Sequence, residues 1–317
     1  MNKKLPIIYS PHYNITLFGI EKLHSFDSEK YGKVFRYLKE KMGLKKYQFY
    51  EPEEVTEEDL LLVHTKEYLH SLSYSKNIAR IAELDLLSFF PNFILKSRIL
   101  KPMKYGTGGT ILGCHLALKH GWAINLSGGY HHAKSGEGGG FCFYSDVPIA
   151  VYKLLKKKKM KILIIDLDAH QGNGFESVFK NDQRIYIFDI YNSMIYPMDN
   201  EVKQYIDCDY PVSSFTKDSE YLKILKEKIP FVIKRSSCDL IIYNAGTDIF
   251  KDDPLGHMNI TTQGIIQRDE MVFRQALKRK IPILMVLSGG YTKQSSLIIG
   301  KSIENLLKNV IGVKTGI

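Results

Sequence analysis

The chain has 317 residues, of which 44% are hydrophobic and 25% charged, so it is long enough and ordinary enough in composition for a globular protein with a large core. No apolar run is long enough to cross a bilayer, and polar residues follow the first eight too soon for a secretory signal. The four cysteines are too few and scattered for a disulfide framework or a cysteine-rich zinc site. The composition predicts an intracellular protein, cytoplasmic in the first instance with the nucleus left open.

The formal net charge of +10 raises the question of a nucleic-acid partner. The densest basic run, 156–159, ends a predicted helix, where cations suit the helix dipole. No basic stripe with interleaved aromatic residues accompanies it, so we expect no specific nucleic-acid partner.

The first hundred residues are mainly helical in pattern, with predicted helices at 28–41 and 56–72. A less regular segment, 84–99, contains Phe89, Phe90, Pro91 and Phe93. It is either packed against the main core or forms an apolar wall or lid near a pocket, and the sequence leaves both open.

From about residue 120, short β-branched runs alternate with helical patterns. This alternation predicts an α/β protein with an open, mostly parallel sheet flanked by helices, and no linker divides the single domain expected over 1–317. The predicted strands are 123–126, 161–167, 184–189, 239–243 and 283–287, and the predicted helices are 146–156, 219–234 and 262–278.

The strands end in residues that a buried strand would not favour, and ligands of open α/β sheets bind at the carboxyl ends of strands. At the end of the second predicted strand, Asp166, Asp168 and His170 alternate, so an extended chain projects them to one side. Close buried carboxylates need compensation, and Asp with His suits a divalent ion such as Zn²⁺. The alternative is that the aspartates cap a loop.

Three further strand ends carry candidate functional residues. Asp248 could complete an Asp₂His set with an open coordination position, as catalytic zinc requires, although a strand-end aspartate is as often a turn residue. His131 and His132 follow a Gly-Gly turn, where neutral imidazole could act as a general base. Tyr291 follows another Gly-Gly turn and could donate a hydrogen bond to a developing oxyanion.

Taken together and in this order, the motifs resemble those of histone deacetylases, closest to the class IV group, which have the arginase/deacetylase fold. The resemblance covers nearly the whole chain. It rests on Ile8-Tyr9-Ser10-Pro11, Gly138-Gly139-Gly140-Phe141-Cys142, Asp166-Leu167-Asp168-Ala169-His170, the segment 243–248, and Ser288-Gly289-Gly290-Tyr291.

The resemblance implies a zinc-dependent amidohydrolase that removes acyl groups from lysine in proteins or peptides. It implies one catalytic Zn²⁺ bound by Asp168, His170 and Asp248, and a general base, His132, with His131 beside it in an electrostatic or acid role. It further assigns Tyr291 to the substrate carbonyl, Asp166 to the carboxylate behind His131, and Gly140, Phe141 and Tyr196 to the walls of a lysine tunnel. A potassium site near the zinc would involve Asp166 and Asp189.

One position departs from the commonest pattern, which has an aspartate behind the general base, because this chain has Asn173. An amide can orient the imidazole but stabilises the imidazolium less than a carboxylate does. We therefore expect His132 to be a weaker base that stays neutral.

The resemblance to class IV also implies a preference for long fatty acyl groups. The small residues of the segment 106–110 could leave space at the inner end of the tunnel, or could mark a closely packed helix start. Rival interpretations are a two-manganese ureohydrolase, a deacetylase of acetyl-lysine or of a small molecule such as an acetylpolyamine, and a non-catalytic binding protein. The oligomeric state is not readable from the sequence.

Overall fold

A computed structural model describes residues 4–313, so residues 1–3 and 314–317 of the expected 1–317 domain lie outside the described part. The described residues form a seven-stranded sheet with the order β1-β2-β7-β6-β3-β4-β5, and all its paired strands are parallel. The strands are β1 Ile7–Ile8, β2 Trp122–Asn125, β3 Ile162–Asp166, β4 Ile185–Asn192, β5 Cys208–Val212, β6 Leu240–Asn244 and β7 Ile283–Val286.

The five predicted strands are confirmed, and the main difference is that β4 extends to Asn192. β3 is buried along its whole length because it lies between β4 and β6, which explains its unbroken apolar run. The two edge strands, β1 and β5, were not predicted from the sequence. β1 has only two residues, and β5 alternates exposed side chains and contains Pro211, a residue confined to sheet edges.

Helices cover both faces of the sheet. They are α1 Lys30–Met42, α2 Glu57–Leu60, α3 Lys66–Ser71, α4 Ser75–Ile81, α5 Asn92–Leu95, α6 Lys101–His120, α7 Asp146–Leu155, α8 Asn173–Phe179, α9 Asp218–Ser236, α10 Thr262–Lys278 and α11 Ser295–Asn305. In one group α7 packs against both α6 and α8, and in a second group α9, α10, α11 and α1 pack together. None of the described helices is long and apolar enough to cross a membrane.

Four of the predicted helices correspond to α1, α7, α9 and α10. The single helix predicted over 56–72 is wrong, because the chain turns between α2 and α3. Thr65 caps the second of these helices by accepting a hydrogen bond from the backbone N–H of Tyr68, which fixes a new helix start within the segment.

The segment 84–99 is a series of short helical turns, and its buried side chains belong to a second hydrophobic cluster and not to the main core that one of the two alternatives expected. Phe89 and Phe93 are 83% and 72% exposed, whereas Leu87 and Leu95 pack in a hydrophobic cluster separate from the main core. This second cluster also contains Tyr130, Phe143 and Tyr144 from the loops after β2. Those loops are therefore supported from outside by the amino-terminal third of the chain.

The sheet has a topological switch between β3 and β6. From β3 the chain continues outward to β4 and β5, and it then returns to add β6 and β7 on the opposite side of β3. The loops after β3 and β6 diverge at this point, which creates a crevice at the carboxyl edge of the sheet. This is the edge on which the predicted site residues lie.

Candidate metal centre and active site

Asp168, His170 and Asp248 come together at the switch point. Each offers one ligand atom, these atoms lie within 4.8 Å of one another, and all three residues are buried. His170 Nδ1 is 2.9 Å from Asp248 Oδ2 and 3.2 Å from Asp168 Oδ1. A tetrahedral zinc ion with ligand bonds of about 2.0–2.2 Å spaces its ligands by roughly 3.4 Å, so the three groups fit such an ion.

The electrostatics of this cluster also favour a cation. Burial raises the pKa of Asp248 to about 7, and the neighbouring charge of Asp168 adds to the effect. Burial disfavours protonation of His170, but hydrogen bonds to Asp168 and Asp248 outweigh it and raise its pKa to about 10. Two carboxylates in a dry environment thus attract positive charge, which a divalent ion supplies better than a proton.

Among the described residues, no other set of three His, Cys, Asp or Glu side chains brings its ligand atoms within 4.8 Å of one another. A second transition-metal ion in the same site would need further carboxylates and histidines. Gln171 and Asn173 stand at the nearby positions instead and engage in amide hydrogen bonds. The arrangement therefore disfavours the two-manganese interpretation.

Two imidazoles lie beside the ligand cluster, with ring centroids 4.1 Å apart. His131 Nδ1 is 2.9 Å from Asp166 Oδ2, and its Nε2 is 3.6 Å from Asp168 Oδ1. His132 Nδ1 is 2.9 Å from Asn173 Oδ1. Each histidine is thus held by a different partner, a carboxylate in one case and an amide in the other.

The partners give the two imidazoles different charge states at neutral pH, one cationic and one neutral. Burial opposes protonation of His131, but the carboxylates of Asp166 and Asp168 prevail and raise its pKa to about 9. Burial holds the pKa of His132 well below its usual value, and the positive charges of His131 and His170 lower it further. The site therefore contains one imidazolium and one neutral imidazole, which is the pairing that acid–base chemistry needs.

Tyr291 faces the cluster from the turn after β7. Its ring stands perpendicular to the His170 ring at 6.1 Å, and its backbone N–H donates to Asp253 Oδ2 at 2.8 Å. Burial raises the pKa of its phenol well above the usual value, and the charges of Asp168 and Asp248 reinforce this. The phenol consequently keeps its proton and can donate a hydrogen bond.

An apolar cavity leads to these residues, and its walls include Gly140, Phe141, Tyr291 and both histidines. Phe141 packs edge-on against Tyr291 at 5.8 Å, and Tyr196 packs against His132 at 4.9 Å. Gly140 has φ +50, and a Cβ there would lie 2.4 Å from the His132 ring, so the wall position requires glycine. The three predicted tunnel residues are thus brought together around the imidazole of His132.

A second apolar chamber adjoins this cavity and shares Phe26, Met103 and Phe141 with it. It encloses about 500 Å³, and part of that space is open to solvent. The remaining walls include Leu84, Leu87 and Ile99, so the segment 84–99 does contribute an apolar wall.

The glycines of the segment 106–110 do not open this space. They lie inside α6 rather than at its start, and a Cβ at Gly108 would be 1.9 Å from the backbone oxygen of Glu53. A Cβ at Gly109 would be 2.1 Å from the Tyr13 hydroxyl. The structure therefore favours close helix packing as the reason for these glycines.

Asp189 lies next to Asp166 across the paired strands β3 and β4. Its Oδ2 accepts from the backbone N–H of Gly172 at 2.8 Å, whereas its Oδ1 and Glu176 Oε1 have no hydrogen-bond partner among the described residues. Burial raises the pKa of Asp189 well above its usual value, with Asp166 and Glu176 adding to the effect, and burial raises that of Glu176 to about 7. Glu176, which the sequence analysis did not single out, makes this an acidic cluster that a cation could neutralise.

Two buried cations that the sequence analysis missed hold the strand-end loops in place. Lys30 Nζ donates to the carbonyl oxygens of Ser288 and Gly289, at 2.6 and 3.2 Å. Arg268 Nη1 donates to the carbonyls of Leu167 and Gly246, at 3.1 and 2.5 Å. Both act on backbone atoms far away in sequence, and neither lies in a recognisable motif, so no local signal could have revealed them.

Comparison with known proteins agrees with this geometry. The family model of the histone deacetylase domain matches residues 24–308. Histone deacetylase 2 of Arabidopsis thaliana is 46% identical over 304 residues, which cover 96% of this chain and 79% of that protein. An uncharacterised protein of Picosynechococcus is 30% identical over 289 residues, covering 91% and 92% of the two chains.

Solved structures show the same fold at lower identity. The crystal structure of the HDA15 HD domain has a TM-score of 0.78 at 19% identity and covers 99% of this chain and 91% of that one. An acetylpolyamine aminohydrolase from Burkholderia pseudomallei has a TM-score of 0.74 at 15% identity, with 95% and 98% coverage. The all-parallel sheet is thus of the arginase/deacetylase type, and the chain belongs to the histone deacetylase family of zinc-dependent amidohydrolases.

Proposed function

We propose that the chain hydrolyses the amide bond of Nε-acyl-lysine in proteins or peptides, as one catalytic domain spanning residues 1–317. A single arrangement carries this proposal. An imidazolium, a neutral imidazole and a tyrosine line one apolar cavity, and a buried Asp₂His set lies directly beside them. A cytoplasmic location and the absence of a specific nucleic-acid partner remain predictions from the sequence.

Asp168, His170 and Asp248 would hold the zinc ion. When bound, zinc polarises the acyl carbonyl and acidifies the attacking water. Two of the three ligands are carboxylates, which offset most of the ion's charge and so reduce this acidification compared with neutral ligands. The reaction therefore needs a protein base and a protein hydrogen-bond donor in addition to the metal.

His132 is the base in this proposal, because its depressed pKa keeps the imidazole neutral and Asn173 fixes its Nδ1 side. It accepts the proton of the attacking water at Nε2. His131, which Asp166 and Asp168 keep protonated, supplies a positive charge and an acid for the departing lysine amine. The phenol of Tyr291 donates a hydrogen bond to the oxygen of the acyl carbonyl as negative charge develops there.

The lysine side chain would lie between Gly140, Phe141 and Tyr196. We further propose a preference for long fatty acyl groups, in keeping with a class IV deacetylase. The chamber that shares Phe26, Met103 and Phe141 with the tunnel supports this, since an acyl chain longer than acetyl needs an apolar space beyond the reacting carbonyl.

A monovalent cation, K⁺ by the resemblance, would bind near Asp166 and Asp189. The uncompensated oxygens of Asp189 and Glu176 support this proposal, because carboxylate oxygens buried together attract a cation. Its role would be structural, since it lies behind the loop that carries the zinc ligands.

The test compares hydrolysis of matched acetyl-lysine and myristoyl-lysine peptides by the zinc-loaded protein, with His132→Ala as the inactive control. Ala82→Phe narrows the chamber without altering a tunnel residue, and Leu86→Phe, an exposed position four residues further along the chain, is its control. Myristoyl hydrolysis that Ala82→Phe reduces selectively supports the fatty-acyl proposal.

Other outcomes change the proposal in defined ways. A preference for acetyl that Ala82→Phe does not change would retain the mechanism and remove the fatty-acyl preference. Activity on neither peptide, with an active acetylpolyamine assay, would make the protein a small-molecule deacetylase. Inactivity on all three substrates would point to a binding role.

A further inference from the structure

Asp199 lies behind Asn173, the residue that hydrogen-bonds to the proposed base His132. Neither the motifs nor the comparisons assign a role to Asp199. It lies in the loop after β4 that also carries the tunnel residue Tyr196, and its side chain is 17% exposed. Its Oδ2 accepts from Asn173 Nδ2 at 3.2 Å and from Lys134 Nζ at 2.9 Å. A chain of hydrogen bonds thus runs from His132 through Asn173 to a carboxylate.

We propose that Asp199 is a positioning residue that fixes the side-chain amide of Asn173, and through it the tautomer of His132. This inference rests on the proposed role of His132 as the base. Asp199 touches neither the reacting atoms nor the metal ligands, so its connection to His132 runs through Asn173.

A side-chain amide has two chemically different ends. Asn173 can present either Oδ1, an acceptor, or Nδ2, a donor, toward His132. Only Oδ1 accepts the Nδ1–H of a neutral imidazole, and this tautomer leaves Nε2 free to accept a proton. The reversed amide would favour the tautomer with hydrogen on Nε2. In that tautomer Nε2 has no free lone pair and cannot accept a proton from water.

A carboxylate behind the amide removes this ambiguity. Asp199 has only acceptor oxygens when ionised, so the amide group that faces it must be Nδ2. Oδ1 then faces His132. An aspartate at position 173 would not need such a partner, because its two oxygens are equivalent. The asparagine does need one, because its two ends differ.

The surroundings hold the Asp199 carboxylate in place. Its backbone N–H donates to Gln171 Oε1 at 3.1 Å, and its carbonyl accepts from Gln171 Nε2 at 3.0 Å. Gln171 is two residues before Asn173, so the two partners are anchored to the same loop. Lys134, two residues after His132, supplies the opposite charge and closes the network.

The first test is Asp199→Ala, with Glu201→Ala as the control because it removes an exposed carboxylate from the same loop. We expect Asp199→Ala to lower kcat by about 10–100-fold, the usual effect of removing a group that orients a catalytic or ligating histidine. The KM for an acyl-lysine peptide and the zinc content should stay within about twofold, and Glu201→Ala should match the wild type. An increase in KM with unchanged kcat would instead assign Asp199 to shaping the tunnel through Tyr196.

The second test exchanges the two groups. Asn173→Asp alone places two carboxylates next to each other, and like charges at this distance repel. In the double variant Asn173→Asp/Asp199→Asn, the new amide can donate to the new carboxylate, which still accepts from His132. We expect the kcat of the double variant to be higher than the value obtained by multiplying the losses of the two single variants. A kcat equal to that product would contradict the proposal.

A spectroscopic test is independent of substrate. With ¹⁵N-labelled histidine, and His132→Ala to assign the signal, the wild type should show His132 with hydrogen on Nδ1 and a bare Nε2. Asp199→Ala should shift this signal toward the other tautomer. An unchanged tautomer together with unchanged kcat overturns the inference, whereas a shifted tautomer in a protein inactive on acyl-lysine would retain it and refute only the proposed function.

Discussion

The ammonium group of Lys30 donates a hydrogen bond of 2.6 Å to the carbonyl oxygen of Ser288, three residues before Tyr291. Lys30 is fully buried, and burial lowers its pKa to about 8 although Asp248 and Asp168 oppose the change. A buried lysine is tolerated here because it satisfies two backbone carbonyls of the turn that presents the tyrosine.

Replacing Lys30 by methionine should therefore destabilise the protein and disturb that turn. The two carbonyls lose their donor, which costs about 1–3 kcal/mol in the free energy of unfolding, and kcat should fall with it. Urea denaturation and steady-state kinetics measure the two effects. Lys33→Met is the matched control on the same helix, because the ion pair of Lys33 with Asp27 is partly exposed and should contribute less than about 1 kcal/mol.

Tyr291→Phe should lower kcat by about 10²–10³-fold, the usual effect of removing one oxyanion donor. Zinc content should not change, because Tyr291 is not a member of the ligand cluster. Tyr196→Phe, which keeps the ring against His132 and removes an equivalent hydroxyl, should remain nearly as active as the wild type. Near-normal turnover by Tyr291→Phe would refute its assignment.

The alkaline limb of the pH–rate profile should report the loss of the His131 proton. The folded pKa of about 9 lies above the usual value near 6.5, so the charge and the stability it contributes are fully present below pH 6.5. In the metal-free protein both are lost as the pH rises through about 9, and zinc bound to Asp168 offsets part of the carboxylate charge, so the limb of the zinc-loaded enzyme should lie below that pH. Asp166→Asn removes the carboxylate that accepts from the His131 ring, so the alkaline limb should move to lower pH. If the limb does not move, it reports the titration of another group.

The sequence predicted those parts of the molecule that depend on local pattern. Buried parallel strands produce continuous apolar runs, and polar residues directly after them mark the carboxyl edge, so Asp166, Asp168 and His170 were identifiable without coordinates. The network around them was not, because Lys30 and Arg268 reach carbonyls that are more than a hundred residues distant or belong to unrelated turns. Such contacts exist only once the sheet order is fixed.

The segment 106–110 shows a different failure. Small residues have the same sequence signature whether they leave space for a ligand or admit a neighbouring backbone. Only the position of Glu53 against α6 decides between the two.

Gly108→Ala should accordingly destabilise the fold rather than change acyl-chain selectivity. The new Cβ would meet the backbone oxygen of Glu53, a neighbour that cannot rotate away, and such overpacking costs about 1–3 kcal/mol. Gly136→Ala is the control, because no atom lies within 4 Å of its added Cβ. Thermal denaturation and the ratio of acetyl to myristoyl hydrolysis test this together, and a changed ratio at unchanged stability would restore the spacious-tunnel interpretation.

Arg268→Met should weaken both folding and zinc binding. Arg268 is fully buried, pairs with Asp269 at 2.8 Å, and joins the loop of Leu167 to that of Gly246, next to the ligands Asp168 and Asp248. Removing one partner of a buried ion pair costs about 3–5 kcal/mol, and loss of an outer contact reduces metal affinity about 10–100-fold. Chelator competition measures the affinity, and denaturation with and without zinc separates the two effects. In the double variant Arg268→Met/Asp269→Ser the uncompensated carboxylate is gone, so stability should partly recover while zinc affinity stays low, because the two loops remain unjoined.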